Sequence, residues 1–219
     1  MRKNIFVSVF AAIIIIMGLC SCGNNAAIFG KSKINGTAEK YCSAYFNFKY
    51  DEAEKYGVIG IKEFYEKYYK HIAESQEKSI DEYLNELSSE FIEYELTDKP
   101  FESLDDYINW NFEENKEASE KEIGKYTVEV SASGNEKVSD SDREKMLDEL
   151  TSGFDEGGLD ISDFIDLSKI QDVYKVRLTA VMKTDKGENN TDRVLVYVTE
   201  YGGKWKVINV GANFGIERE

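Results

Sequence analysis

The sequence predicts an α+β fold in which N-terminal helices pack on one face of a mostly antiparallel, cone-like sheet. Two observations lead to this prediction. Apolar residues recur at helical spacing through the first half of the chain, whereas in the second half they alternate with polar residues as they do in half-buried strands. Helices followed by a run of strands are typical of proteins whose helices are segregated to one side of a sheet.

The first half of the chain predicts a series of amphipathic helices. Thr37 occupies the position of an N-cap before the first of them. Residues 61–91 predict either one long helix or two helices separated near residues 75–79. Ser103, with Asp106 three residues later, resembles a capping box and predicts the start of a further helix.

The second half of the chain predicts a strand meander with one inserted helix. Alternation of apolar and polar residues marks four strands, at residues 126–132, 174–182, 194–199 and 205–210. The pair Gly202 and Gly203 predicts a tight hairpin between the last two strands. Residues 140–154 have helical periodicity instead, so a helix is expected between the first and second strands.

The first 21 residues have the pattern of an export signal. Arg2 and Lys3 precede residues 5–19, which are apolar or small apart from one serine. This run falls short of the roughly 20 apolar residues that a membrane-spanning helix needs. We therefore expect residues 1–21 to be removed as a signal peptide, and an uncleaved signal anchor is the alternative.

A cysteine motif follows the apolar run. Leu19 lies three positions before Cys22, and the small Ser21 immediately precedes it. This spacing resembles the lipobox of bacterial lipoproteins, and Cys20 fits the pattern less well. The resemblance implies that Cys22 carries a diacylglyceryl group, with palmitate-type acyl chains, and becomes the mature N-terminus. Two acyl chains suffice to hold a protein on a membrane, so the domain is expected on the extracytoplasmic face of the cell membrane.

Composition limits the partners of the mature chain. Residues 22–36 contain Gly, Asn and Ser with little apolar pattern and predict a flexible tether before a single domain over residues 37–219. Loss of Arg2 and Lys3 with the signal takes the formal net charge from −15 to −17. Nucleic acid requires a basic footprint, so it is excluded as a partner.

Three stretches resemble a known family. Residues 37–45 (TAEKYCSAY) and 50–56 (YDEAEKY) look like the opening helices of extracytoplasmic lipoproteins with a nuclear-transport-factor-like, or cystatin-like, α+β cone. Residues 201–207 (YGGKWKV) are similar to the last hairpin of that group, where Trp205 would pack into the sheet. In this sequence residues 47–49 (NFK) replace the expected Gly-Asp turn. The resemblance implies a fold more than a function.

Candidate chemical groups are few. Cys42 lies on the apolar face of the first predicted helix, which favours a buried thiol over a redox role. His71 is the single histidine, and without a nearby nucleophile it predicts an exposed helical residue rather than a catalytic one. The aromatic residues within 64–69 predict core packing, with a recognition surface as the alternative.

The acidic segment at residues 155–163 does not match the pattern of an EF-hand calcium loop. Starting at Asp155, the third and fifth positions are Gly157 and Leu159, so the EF-hand template fails. Asp160 or Ser162 capping a helix explains the segment, and weak calcium contact is the alternative. We therefore predict no metal site, no cofactor and no catalytic residue.

Two functional hypotheses follow. The first is a membrane-tethered, non-enzymatic module that binds a small molecule or another envelope protein. The second is an enzyme that uses carboxylate acid–base chemistry inside the cone, since some carboxylates of this acidic chain could be desolvated there. An open pocket holding a buried Asp or Glu would favour the enzyme, and a cone filled by side chains would oppose it.

Overall fold

The structure, a computed structural model, describes residues 33–185, 187, 189–208 and 215–216. The predicted signal peptide, Cys22 and most of the predicted tether lie outside the described residues. Helices pack against an antiparallel sheet that is curled into a half-barrel, so the predicted α+β class is confirmed. The N-terminal helices come first in the chain and the strands follow, with one helix inserted between them.

Six α-helices are described: α1 (Lys33–Phe46), α2 (Tyr50–Ala53), α3 (Ile61–Ser75), α4 (Ile80–Glu93), α5 (Leu104–Ile123) and α6 (Asp140–Glu156). Residues 61–91 thus form two helices. Ser79 and Glu82 separate them with a reciprocal capping box, which starts α4 independently of α3. The predicted cap of α5 is confirmed, because the Ser103 side chain accepts a hydrogen bond from the Asp106 amide.

The start of α1 differs from the sequence prediction. The helix begins at Lys33, and the Thr37 hydroxyl donates to the Lys33 carbonyl within it, so the prediction of an N-cap at Thr37 was wrong. Residues 33–36, which were predicted as the end of the tether, are therefore helical. Ile34 packs against the core, and packing of this kind contributes more to helix stability than local propensity does.

The sheet contains the strands β1 (Tyr126–Lys137), β2 (Val173–Thr184), β3 (Asn189–Tyr201), β4 (Lys204–Val207) and β5 (Gly215–Ile216). Their order is β1-β2-β3-β4, all pairs are antiparallel, and β5 also pairs with β3. Gly202 and Gly203 both have positive φ, as the predicted hairpin requires. The last predicted strand ends at Val207, and residues 209–210 lie outside the described chain.

Apolar clusters cover both faces of the sheet. Val194, Val196 and Val198 of β3 belong to the larger cluster, together with buried residues of α1–α5. Tyr197 and Tyr201 belong to the smaller cluster, which contains the buried residues of α6. Because successive side chains of a strand point to opposite faces, the N-terminal helices share one face and α6 covers part of the other. The side of β1 that faces away from β2 forms an edge of the sheet, and α1 lies beside it.

Candidate functional site

Of Cys22 and Cys42, only Cys42 lies within the described residues. Cys22, the predicted lipid attachment site, lies outside the described residues. Cys42 is fully buried on α1 and is not in a disulfide. Burial raises the pKa of its thiol far above the usual value, because the thiolate would lose its hydration. The predicted burial of Cys42 is confirmed.

His71 packs against the end of α6. It is half-buried, so the expectation of an exposed histidine was wrong. Gly158 has a φ of 72°, and a Cβ at this position would lie 2.1 Å from Nε2 of His71. The glycine therefore allows both the left-handed turn and the close approach of the imidazole. The sequence reasoning missed this contact because Gly158 lies in the turn after α6, far from His71 in the sequence.

The acidic segment after α6 behaves as a capped turn. The Asp160 carboxylate accepts a 2.8 Å hydrogen bond from the Ser162 amide at the start of a 3₁₀ turn. Bonding from Ser162 lowers the pKa of Asp160, because it stabilises the charged form. The described part of the chain contains no group of three or more His, Cys, Asp or Glu residues that could hold a metal ion.

Aromatic side chains fill much of the space between the helices and the sheet. Tyr69 and Tyr107 are nearly fully buried, and their ring centroids are 5.0 Å apart at a steep angle. Burial raises the pKa of the neighbouring Tyr65 to about 12. Phe64 packs edge-on against Phe154 of α6. The core interpretation of the aromatic residues within 64–69 is therefore confirmed.

Buried polar side chains in the described chain are those of Ser88 and Thr199. The Ser88 hydroxyl accepts from the Phe101 amide, and the Thr199 hydroxyl donates to the Asp172 carbonyl. Both groups therefore have ordinary structural partners. Within the described residues, the interior holds no fully buried carboxylate of the kind that acid–base chemistry in the cone would require.

The edge of β1 is covered in part by polar side chains of α1 and of the turn that follows it. The side-chain amide of Asn47 donates to the Val128 carbonyl and accepts from the Val128 amide, each at 2.9 Å. Asn47 therefore bonds to the strand as a neighbouring peptide unit would. Further along the strand, the Glu39 carboxylate accepts a hydrogen bond from the Ala132 amide at 2.9 Å.

The end of α1 places Asn47 at the strand. Lys49 donates to the Ala44 carbonyl and Phe48 donates to the Tyr45 carbonyl, which is the Schellman arrangement. Phe48 holds the left-handed position with a φ of 57°, where glycine is usual. The departure of residues 47–49 from the family's turn was the sequence signal for this feature, but it did not reveal the strand that Asn47 contacts.

Val130 is an open position on this edge, meaning that its outward backbone groups have no hydrogen-bond partner among the described residues. Backbone groups of an antiparallel strand point alternately toward and away from the partner, so Val128, Val130 and Ala132 share the outward direction. Asn47 and Glu39 bond to the first and the third. Among the described residues, neither the amide nor the carbonyl of Val130 has a hydrogen-bond partner.

Val130 lines a cleft between α1, α2 and β1, here named the α1–β1 cleft. Its volume is about 570 Å³, and it opens to solvent. Lys40, Lys49 and Lys55 line it, and all three are exposed. Tyr56 also lines the cleft, and its ring centroid lies 5.5 Å from Lys40 Nζ. The arrangement combines a backbone donor and acceptor with positive charge and an apolar surface.

Comparison with known protein families, with curated proteins and with solved structures finds no match for this chain. Among its described helices, none combines the length and the apolar character required to cross a membrane. The resemblance to nuclear-transport-factor-like lipoproteins therefore stays a prediction.

Proposed function

We propose that this chain is a membrane-tethered extracytoplasmic lipoprotein, and that its domain is a non-enzymatic module that binds a ligand or an envelope protein in the α1–β1 cleft. The observation that carries the binding site is the open position at Val130, which lies in a cleft with three lysines. A cleft of this volume falls within the range of small-ligand sites. The lipobox-like motif at Cys22 supports the address.

The enzyme hypothesis has weaker support. Acid–base catalysis by a carboxylate requires a desolvated or specifically paired Asp or Glu near a substrate cavity. Glu39 lines the α1–β1 cleft, but its carboxylate bonds to the Ala132 amide and thereby holds α1 on the strand. A binding role uses this arrangement as it stands, so the module is the favoured proposal.

Intact mass tests the membrane address. We expect full-length protein from the membrane fraction of a bacterial host to begin at Cys22 and to carry added acyl mass. Cys22→Ala removes the acceptor thiol and is expected to abolish that mass, whereas the matched variant Cys20→Ala is expected to retain it. A wild-type chain that keeps Met1 and carries no lipid contradicts the lipoprotein proposal.

Amine labelling tests the binding site independently of ligand identity. Lys40, Lys49 and Lys55 are labelled in intact cells and in the purified full-length protein, and the labelled peptides are quantified by mass spectrometry. We expect lower labelling in cells for these three lysines, because a bound ligand would cover them. The exposed control residues are Lys70, Lys99 and Lys121. Equal labelling ratios for the two sets contradict the assignment of the cleft.

A further inference from the structure

We infer that the α1–β1 cleft recognises a peptide carboxylate, with one amide of the ligand paired to Val130 and its carboxylate held by the cleft lysines. This inference rests on the proposed function for the location of the ligand. It adds the chemical class, which is a short peptide or a peptide C-terminus. Two separate features of the cleft lead to it, the backbone of β1 and the charge of the lining side chains.

The backbone feature selects an amide. At Val128 the edge already binds a planar amide, since Asn47 supplies both a donor and an acceptor to that residue. Val130 presents the same pair of groups in the same outward direction, and this residue lines the cleft. A peptide unit of a ligand satisfies both of them, as an added strand does at a sheet edge.

Neighbouring contacts limit how far such a peptide can pair. Asn47 and Glu39 bond to the strand on either side of Val130. A long added strand would have to displace both side chains. The open length of edge therefore fits one peptide unit and not an extended strand, which distinguishes this site from general strand addition.

The charge feature selects an anion. Within the described residues, no carboxylate lies within salt-bridge distance of Lys40, Lys49 or Lys55. The whole chain has a formal net charge of −15, so three lysines around one cleft depart from the prevailing field. Glu39 and Glu52 also line the cleft, which leaves its lining with one net positive charge.

The two features together favour a ligand that carries both an amide and a carboxylate over simpler ligands. An inorganic anion would use the lysines and the Val130 amide but would leave the Val130 carbonyl without a donor. A neutral amide would pair with Val130 but would leave the lysines without a counter-charge. A ligand with both an amide and a carboxylate satisfies every group, and the ring of Tyr56 offers a surface for its apolar side chain.

Titration of the full-length protein in detergent micelles tests this inference. The probes are N-acetyl-dialanine with a free carboxylate, its C-terminal amide, its analogue methylated at the second amide nitrogen, and acetate alone. The readout is the chemical shift of the Val130 backbone amide in isotope-labelled protein. We expect saturable shifts with the free carboxylate and at least about tenfold weaker binding for each of the other probes.

Matched variants locate the charge requirement. The combined substitution of Lys40, Lys49 and Lys55 by Gln is expected to weaken binding of the free carboxylate by about tenfold or more. The same substitution at Lys70, Lys99 and Lys121 removes equal charge from exposed positions on two helices and a loop. It is expected to change affinity by less than about twofold.

Several outcomes would overturn the inference. It is wrong if the Val130 amide does not shift, if the amidated probe binds as tightly as the carboxylate, or if the control variant loses as much affinity as the cleft variant. These results leave the proposed function testable, because protection of the cleft lysines in cells does not depend on the ligand class. Protection in cells without peptide binding would contradict the peptide carboxylate alone.

Discussion

The two faces of α1 meet opposite surroundings. Its inner face presents Tyr41 and Cys42, both fully buried against the sheet. Its outer face presents Glu39 to the edge of β1 and Lys40 to the α1–β1 cleft, and Asn47 directly after the helix also bonds to that edge. The same fourteen-residue helix thus closes a filled interior and borders an open site. Apolar side chains determine its place in the fold, and polar side chains determine what remains accessible.

Alkaline pH is expected to have the largest effect on the free energy of unfolding, because it acts on many tyrosines of the filled interior at once. Burial raises the pKa of Tyr65 to about 12, and it also raises the pKa of Tyr45 and Tyr69. The folded state therefore retains phenol protons that the unfolded chain releases near pH 10. The contribution of these tyrosines to stability should be constant below about pH 10 and fall as the pH rises further.

Urea unfolding followed at increasing pH measures this loss, with phenolate absorbance recorded in parallel. Tyr65→Phe, which removes one raised pKa, should flatten the pH dependence of the free energy of unfolding above pH 10. Complete phenolate formation near pH 10 in a chain that is still folded would show that the interior is open to solvent.

Truncation of a core leucine should have the next largest effect on the free energy of unfolding. Leu178 is 2 % exposed in the larger cluster. Leu178→Ala should lower the free energy of unfolding by about 2–5 kcal/mol, because it leaves a cavity that its neighbours cannot fill. Chemical denaturation measures the change. The matched control Leu96→Ala alters a 36 % exposed side chain and should cost less than about 1 kcal/mol. Equal costs would mean that the interior is not tightly packed.

Gly158 offers a comparison between a crowded and an open glycine. Gly158→Ala places a Cβ against His71, whereas Gly203→Ala, at a similar positive φ of 75°, meets nothing within 4 Å. Both variants lose the conformational freedom of glycine, so the difference between them reports the contact with His71. Gly158→Ala should therefore lower the free energy of unfolding by about 1–3 kcal/mol more than the control does. The excess should disappear in a His71→Ala background. If it persists, the crowding does not come from the imidazole.

Substitution of Asn47 tests how much its side chain stabilises the edge of β1. Asn47→Ala leaves the Val128 amide and carbonyl without their partner, and should lower stability by about 1–2 kcal/mol. Hydrogen exchange of the Val128 amide should become faster. Asn109→Ala removes an exposed contact to Asp105 within one helix and is the control, with a smaller expected effect. Unchanged exchange at Val128 would contradict the role of Asn47.

The cleft lysines should have the smallest effect on stability. Replacement of Lys40, Lys49 and Lys55 by Gln should change the free energy of unfolding by less than about 1 kcal/mol, because exposed lysines without salt bridges contribute little. Chemical denaturation of this variant beside the wild type provides the measurement. A larger loss would mean that these lysines stabilise the fold, and it would weaken their assignment to ligand binding.

Local periodicity was sufficient to predict the fold class. The α+β class, the order of helices before strands, the inserted α6 and the hairpin at Gly202 and Gly203 were all predicted from residues close in sequence. These features depend on side chains that recur every two or every three to four residues. The prediction failed at the start of α1, because contact of Ile34 with the core overrides the local signal at Thr37.

By itself, the sequence determined the elements, the burial of Cys42 and the core role of the aromatic residues within 64–69. Only the tertiary structure decided where polar side chains meet partners distant in the chain. Asn47 bonds to a residue 81 positions away and Glu39 to one 93 positions away. Apolar burial leaves a periodic pattern in the sequence, whereas a hydrogen bond across such a separation leaves none.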